Sequence, residues 1–325
     1  MNSLQTYALA ARQYVDGAGI AGAVNQGNVF FVRPHSGSTG ADGRSPQTAV
    51  KTLAAALALC TANQNDVVYL MAESNTAGNT TDYQSVALDW NKDSVHLIGV
   101  NDGSFLGQRS RISNLSTATA IVGGLFKVSA NNCLIQGLEI FQGQASTNPT
   151  GASIAVLVSG QRNTIVNCQI SGIGHAELDD ATSRSLSVTG AENYFSNCYI
   201  GSDTIIRATA TSEVDCANAR NIFDGCFIES YTSLSTFKGL TITSSTVGRF
   251  VMLRNCLVAA VQNITSAVAP TGGMIHGAVS GCTYVYNSAF AGYAAVSTLD
   301  DANIFLNGAI GGTAKAGLAT GVDAA

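Results

Sequence analysis

The phrase NTIVNCQISG (residues 163–172) decides the fold, because the chain repeats its pattern at nearly constant spacing. The pattern returns as NYFSNCYIGS (193–202), NIFDGCFIES (221–230) and FVMLRNCLVA (250–259). A fixed period between 20 and 50 residues is typical of a solenoid, in which each repeat forms one turn of a stack. The residues in the cysteine position are Leu138, Cys168, Cys198, Cys226, Cys256, Ser288 and Gly308, separated by 30, 30, 28, 30, 32 and 20 residues.

Each repeat contains a second apolar phrase upstream of the first. Examples are VLVSGQRN (156–163) and LSVTGAEN (186–193), in which alternating apolar residues are followed by a short polar turn. Alternation over a few residues predicts β-strands, and bounding Gly and Asn residues favour strands over helices. Asn167 interrupts the alternation, which predicts a bend immediately before Cys168. One repeat is therefore two strands, a turn and a segment of variable length.

Stacked turns would bury the apolar faces that one turn cannot bury alone. Neighbouring turns would pair as parallel strands about 4.8 Å apart, so that equivalent residues form columns. The repeated cysteine predicts an interior column where only a small apolar side chain fits. Sulfur atoms arranged in a line do not surround a metal ion, so we expect reduced thiols and neither a metal nor a cofactor. A second column, at the turn, is predicted for Asn163, Asn193, Asn221 and Asn303.

Composition argues against several classes of function. The 325 residues are only 11% charged, and the net charge is −5. The chain has no cluster of Lys and Arg of the kind that binds nucleic acid or an anionic membrane. No apolar run approaches the length of a membrane span, and the N-terminus does not resemble a secretory signal. We therefore expect neither nucleic acid nor a membrane as a partner.

The N-terminal part follows a different pattern. NVFFVRP (28–34) predicts a strand, and QTAVKTLAAALALC (47–60) has apolar residues at helical spacing. We expect an α-helix over about 47–61 that caps the stack, because an uncovered first turn would expose apolar surface and a strand edge. Residues 1–27 predict a helical attachment segment outside the stack. Residues 311–325, rich in Ala and Gly, predict a C-terminal tail.

The N-terminal phrases also carry a resemblance to a known family. ADGRSPQTAVKTLAAAL (41–57), NDVVYLMAES (65–74) and VHLIGVN (95–101) are followed by the repeats. This order resembles the right-handed, single-stranded parallel β-helix proteins of the pectin-lyase-like kind. It is most similar to bacteriophage virion and tailspike-type proteins. The resemblance implies an all-β domain over 28–310 with about eight coils, which at about 4.8 Å a coil would form a rod of roughly 40 Å.

The resemblance makes a structural component of a virus particle the leading hypothesis. Such a protein, from a bacteriophage, would be displayed on or built into the capsid or tail. Its partners would be other virion proteins and further copies of itself, as a homo-oligomer such as a trimer. It would be made in the reducing cytoplasm of the host and located in the virion. Two alternatives stay open: a polysaccharide depolymerase of the tailspike type, acting as hydrolase or lyase, and a non-catalytic adhesin that binds a host surface glycan.

The enzyme alternative needs paired carboxylates, which stacking can bring together from residues about one repeat apart. The sequence offers six candidates for this role: Glu177, Asp179, Asp180, Asp203, Glu213 and Asp215. Of these, Asp179 or Asp180 could lie near Asp203 or Glu213 on neighbouring turns.

Other features of the sequence argue against catalysis. Asp179-Asp180 represents only one of the four motifs of polygalacturonases, and an acidic pair in a loop is typical of a solvated turn. Grooves that bind sugars favour exposed aromatic side chains, yet the chain has one Trp and 7% aromatic residues. We expect Phe195, Phe223 and Phe227 to lie in the core. The sequence therefore favours a non-enzymatic protein without catalytic residues, although it leaves the question of an enzyme open.

Overall fold

The chain forms an all-β parallel solenoid with almost no helix. The computed structural model describes residues 27–73, 81–84, 86–100, 110–114, 121, 123–143, 153–232, 234, 237–242, 251–260, 266–270, 279–280, 283–285, 304–306 and 317–318. Five consecutive turns between Phe126 and Ala260 each contribute one strand to each of three sheets. The predicted fold class is confirmed. The predicted number of about eight coils and the capping role of the helix remain predictions.

The three sheets, named A, B and C, contain strands numbered in chain order. Sheet A contains β1 (Val29–Val32), β2 (Val67–Met71), β5 (His96–Val100), β8 (Leu134–Gln136), β11 (Thr164–Val166), β14 (Tyr194–Ser196), β17 (Ile222–Asp224), β20 (Met252–Arg254) and β23 (Val279–Ser280). Sheet B contains β3 (Thr81–Gln84), β6 (Arg111–Asn114), β9 (Glu139–Gln142), β12 (Gln169–Ile173), β15 (Tyr199–Ile200), β18 (Phe227–Ser230), β21 (Leu257–Ala260), β24 (Thr283–Val285), β25 (Ile304–Leu306) and β26 (Gly317–Leu318). Sheet C contains β4 (Leu88–Trp90), β7 (Phe126–Val128), β10 (Ile154–Val158), β13 (Arg184–Val188), β16 (Ser212–Cys216), β19 (Lys238–Ile242) and β22 (Ser266–Pro270).

Strand pairing converts the sequence period into columns. Within each sheet the paired strands are parallel, except that β26 runs antiparallel to β25. Ile165 pairs with Phe195, and Phe195 pairs with Phe223, so the repeat of 30 and then 28 residues becomes vertical alignment. The rings of Phe195 and Phe223 stack 4.8 Å apart in the core, as expected from their strands.

The cysteine column lies in the interior, as predicted. Cys168, Cys198, Cys226 and Cys256 are free thiols, and each is at most 1% exposed. Each sulfur lies near the carbonyl of the residue two positions earlier, with Sγ···O distances of 3.3–3.7 Å, and near a carbonyl of the preceding turn. A thiol is small enough for this position and is also a weak hydrogen-bond donor.

The residue before the cysteine position turns the chain from sheet A into sheet B. Asn167, Asn197 and Asn255 have φ values of 51°, 49° and 52°, and Gly137 and Gly225 have 67° and 63°. This left-handed conformation is accessible to Gly without strain and to Asn more readily than to most residues. It confirms the bend predicted at Asn167 and explains why the repeated phrase has Asn or Gly there.

The asparagine column joins successive turns between sheets C and A. The side-chain oxygens of Asn163, Asn193 and Asn221 accept bonds from the backbone N–H groups of Cys133, Asn163 and Asn193 at 2.9–3.0 Å. Their amide nitrogens donate to the carbonyls of Ala130, Gly160 and Gly190 one turn earlier. The predicted column is confirmed for these three residues, whereas Asn303 lies outside the described residues.

The N-terminal helix α1 (Leu53–Leu59) is shorter than the predicted 47–61. The segment before the helix pairs with β1 and is not helical. Phe31 N–H donates to Gly43 O, and Val50 N–H donates to Phe31 O. Thr52 caps the helix by accepting a bond from Ala55 N–H. The buried face of α1 packs into the same core as Phe30.

Several sequence predictions concern parts of the chain that the structure does not describe. The predicted attachment segment, except Gly27, is among them, as are Ser288, Gly308 and most of the tail. Among the described residues, no helix is long and apolar enough to cross a membrane.

Candidate functional site

Two of the predicted site residues meet around a buried arginine. Asp179 Oδ1 lies 2.7 Å from Arg207 Nε, and Glu213 Oε1 lies 2.9 Å from Arg207 Nη1. The three side chains are only 2–3% exposed. The stack thus brings Asp179 and Glu213 together, as the repeat spacing allowed. However, both carboxylates are bound to the same buried arginine.

Further bonds hold this cluster in place. Asp179 Oδ2 accepts from the backbone N–H groups of Ala208 and Thr209, and Ser185 Oγ donates to Glu213. Arg207 Nη2 donates to Ser183 O at 2.9 Å. Because buried charges are stable only when paired and hydrogen-bonded, the geometry fits a structural role in fixing the loop after β15. A substrate would have no access to these carboxylates.

The other predicted candidates lie apart from this cluster. Glu177 is exposed on a single 3₁₀ turn, Ala176–Leu178. Asp180 Oδ1 accepts bonds from the backbone N–H and hydroxyl of Thr182, which is the solvated turn considered from sequence. Asp215 is half-buried on sheet C. Among the residues that the structure describes, no three His, Cys, Asp or Glu side chains are grouped to hold a metal ion.

Asp203, the last candidate, is exposed and lines a pocket on the outer face of sheet B. The pocket has a volume of about 400 Å³. Strand register creates it, because Arg111 pairs with Glu139, Glu139 with Gln169, and Gln169 with Tyr199. The described residues that line it are Arg111, Glu139, Phe141, Gln169, Ser171, Tyr199, Ser202, Asp203 and Thr204. We call this feature the sheet B pocket.

An ion pair forms one end of the sheet B pocket. Arg111 directs both Nε and Nη2 to Glu139 Oε2, each at 2.7 Å. The Glu139 side chain is 7% exposed, whereas that of Arg111 is 33% exposed. Ser171 Oγ lies 3.5 Å from the second oxygen of Glu139. The carboxylate is therefore held within the pocket wall by its guanidinium partner.

Tyr199 links the pocket to a second carboxyl group. Its hydroxyl donates to Glu229 Oε2, and its ring meets that of Phe227 edge to face at 4.8 Å between centroids. Burial raises the pKa of Glu229 above its ordinary value, because the protein replaces water that would stabilise the charged form. Glu229 thus keeps its proton to a higher pH than a solvated glutamate does.

The structure corrects one sequence prediction at this site. Phe227 was expected in the core, but it is half-buried on the outer face of sheet B beside Tyr199. Phe141, also half-buried, lines the pocket. The outer face of this sheet therefore has the aromatic surface that the overall composition argued against.

Sequence reasoning missed Arg111, Glu139, Tyr199 and Glu229. The repeat itself could have indicated the pocket residues. Side chains alternate between the two faces of a strand, so the residue after each interior cysteine position points outward. The residues at that next position are Glu139, Gln169, Tyr199, Phe227 and Leu257. Glu229 is the following outward residue in its strand. A search of these outward positions would have found the pocket column.

Comparisons with known proteins support the fold. No family model matches the chain, and no curated protein matches it. A rhamnogalacturonan lyase structure is similar with a TM-score of 0.53 and 14% identity, over 80% of this chain and 69% of that one. The pectin methylesterase PemA from Erwinia chrysanthemi is similar with a TM-score of 0.50 and 16% identity, over 88% and 82%.

These neighbours confirm the predicted resemblance to pectin-lyase-like β-helix proteins. By name they are a lyase and a methylesterase, and they lend no support to the predicted similarity to phage proteins. At such low identity the likeness concerns the fold alone, and one fold hosts many functions.

Proposed function

We propose that the chain is a polysaccharide depolymerase that binds its substrate along the sheet B pocket and cleaves it by hydrolysis. The observation that carries this proposal is the Tyr199–Glu229 pair, in which a side chain of the pocket lining binds a half-buried carboxyl group on the next turn. The virus-particle hypothesis has no comparable feature among the described residues.

Binding would use the aromatic and hydroxyl groups of the outer face. Sugar rings present C–H groups on their faces, and these pack on aromatic rings such as those of Phe141 and Phe227, which are half-buried on this face. The hydroxyls of Ser202 and Thr204 line the same pocket and offer hydrogen bonds to sugar hydroxyls. A polysaccharide would thus be held by apolar contact and hydrogen bonding together.

Cleavage would use Glu229 as general acid and Asp203 as general base. Glu229 gives its proton to the glycosidic oxygen while the bond from that oxygen to the anomeric carbon breaks. A water molecule attacks the anomeric carbon and gives a proton to the Asp203 carboxylate. The two residues lie on adjacent turns, because β18, which carries Glu229, pairs with β15, which the loop with Asp203 follows.

The structural neighbours support a polysaccharide as the substrate class. The two names denote a lyase and a methylesterase, so the shared fold does not select a reaction. Hydrolysis is proposed instead from two carboxyl groups: Asp203 lines the pocket, and Glu229, with its pKa raised by burial, is bound to the lining residue Tyr199.

The experiment measures reducing ends released from a panel of bacterial and plant polysaccharides by the full chain. Glu229→Gln should lower kcat by about 10²–10⁴-fold, the usual contribution of a general acid, while substrate binding persists. Wild-type activity should fall as pH rises through the raised pKa of Glu229, because the acid loses its proton. The matched control is Glu192→Gln, at a half-buried glutamate in the turn between sheets C and A that pairs with Arg162.

Two results would contradict the proposal. Full activity of the Glu229→Gln variant would remove the assigned acid. Binding of a glycan without release of reducing ends would support the adhesin alternative, which uses the same aromatic face without turnover. The predicted virion location and homo-oligomeric state stay predictions, and co-purification of the chain with a capsid or tail would test them.

A further inference from the structure

We propose that the sheet B pocket selects an uncharged polysaccharide and excludes polyuronates. This inference rests on the proposed function and names the class of its substrate. It differs from what the pectin enzymes' names would suggest for a protein of the same fold. The argument depends on the charges of the pocket.

The cation of the pocket is already paired. Of the nine lining residues that the structure describes, Arg111 is the one with a positive charge, and its guanidinium is bound through two nitrogens to Glu139. Asp203 contributes a further negative charge. One positive and two negative side chains give these described lining residues a formal charge of −1, and ionised Glu229 would make the site more negative.

The loop that contributes Ser202, Asp203 and Thr204 to the pocket does not supply a replacement cation. Arg207 belongs to the loop that follows β15, as do the lining residues Ser202, Asp203 and Thr204. Its side chain is 2% exposed and is bound to Asp179 and Glu213. Its charge is therefore already shared between two interior carboxylates and cannot pair with a bound uronate.

A uronate in this pocket would lose water without gaining a partner. Removing a carboxylate from water is costly unless a cation or several donors replace the lost solvation. Asp203 would add like-charge repulsion. A neutral sugar avoids both costs, since its hydroxyls can accept and donate to Ser202 and Thr204 while its ring packs on the aromatic face. Selectivity thus arises from what the pocket rejects as much as from what it binds.

The first test compares glycans that differ only in charge. The probes are hexasaccharides of neutral glucan, mannan and galactan, each paired with its form oxidised at the primary hydroxyls to carboxylates. Calorimetry with the Glu229→Gln variant, which should bind without turnover, measures each affinity. We expect a neutral hexasaccharide to bind and its oxidised form to bind at least tenfold more weakly, with a smaller difference at higher salt.

The second test releases the paired cation. Glu139→Gln, added to the Glu229→Gln background, frees Arg111 and should raise affinity for the oxidised hexasaccharide at least tenfold. The matched control adds Arg111→Gln to that variant, which removes the cation and should abolish the gain. If the Glu139 variant does not fold, Asp203→Asn at the exposed wall replaces it, with a smaller gain expected.

The outcomes separate this inference from the proposed function. Equal or tighter binding of the oxidised form to the original pocket would overturn the charge argument but leave polysaccharide binding intact. Absence of binding to every neutral and oxidised glycan, together with no cleavage of any polysaccharide, would overturn the proposed function, and the inference would fall with it.

Discussion

At the scale of the residue, the same charge pairing has different consequences inside and outside the stack. Arg207 is bound to Asp179 and Glu213 in the interior, whereas Arg220 pairs with Glu192 at a turn where its own side chain is 42% exposed. Water can replace a lost partner at the surface, but it cannot reach the interior carboxylates. The energetic cost of losing the arginine therefore differs between the two sites.

Arg207→Met should destabilise the protein by about 3–5 kcal/mol, because it leaves two buried carboxylates without their cation. The matched change Arg220→Met should cost no more than about 1 kcal/mol. Guanidinium denaturation followed by circular dichroism would measure both. Equal effects of the two substitutions would mean that the interior cluster is hydrated, contrary to its low exposure.

At the scale of the element, the turn between sheets C and A depends on the asparagine column. Each amide satisfies a backbone donor and a backbone acceptor of the preceding turn, so the column replaces hydrogen bonds that the strands cannot make at the corner. This is a reason for Asn rather than Asp, since a carboxylate could not donate to the carbonyl.

Asn193→Ala should lower the free energy of unfolding by interrupting that column. It leaves Asn163 N–H and Gly160 C=O without the amide that binds them, and each unsatisfied buried group costs about 1–3 kcal/mol. We expect a loss of about 2–5 kcal/mol in the free energy of unfolding. The control Gln161→Ala, at an exposed amide in an equivalent turn, should change stability by less than about 0.5 kcal/mol. Similar effects would show that the backbone groups find water instead.

At the scale of the whole molecule, the solenoid places its thiols inside and its pocket outside. The chain has eight cysteines, and the seven that the structure describes are free and buried. Burial raises the pKa of Cys60 and Cys216 to about 12 and that of Cys198 well above its ordinary value, because a thiolate in the interior lacks solvation. Because all seven lie in the interior, a thiol reagent cannot reach them in the folded protein.

Thiol titration tests this arrangement of the whole stack. With an aromatic disulfide reagent at pH 8, the native protein should react at no more than one cysteine, the one outside the described residues. After unfolding in guanidinium without reductant, all eight should react. Fast reaction of several thiols in the native state, or fewer than seven after unfolding, would contradict a column of buried, reduced cysteines.

The repeated phrases were sufficient to predict the parallel stack, the interior position of Cys168 and the turn position of Asn163. These features follow from a local pattern that recurs at constant spacing, because equal spacing becomes vertical alignment once strands pair in parallel. The length of α1 was predicted less well. Helical spacing continues back to Val50, but hydrogen bonds to β1 keep that residue extended, and such a long-range contact overrides local preference.

The candidate site was predicted only in part. Spacing brought Asp179 and Glu213 together, yet it did not indicate that Arg207 would bind both in the interior. The pocket residues were missed because a carboxylate's exposure depends on which face of its strand it occupies and on its neighbours from other turns. The wrong prediction for Phe227 has the same cause. The alternating pattern predicts a strand there, but it does not by itself show whether Phe227 points to the core or to the outer face.

By itself the sequence determined the architecture of this protein, because the period and the residues that permit sharp turns are local and repeated. The tertiary structure alone decided which acidic side chains are enclosed by a cation and which face solvent beside aromatic rings. The physical reason is that burial and ion pairing depend on side chains from different turns, and their meeting is set by the packing of the loops and outer faces rather than by the period.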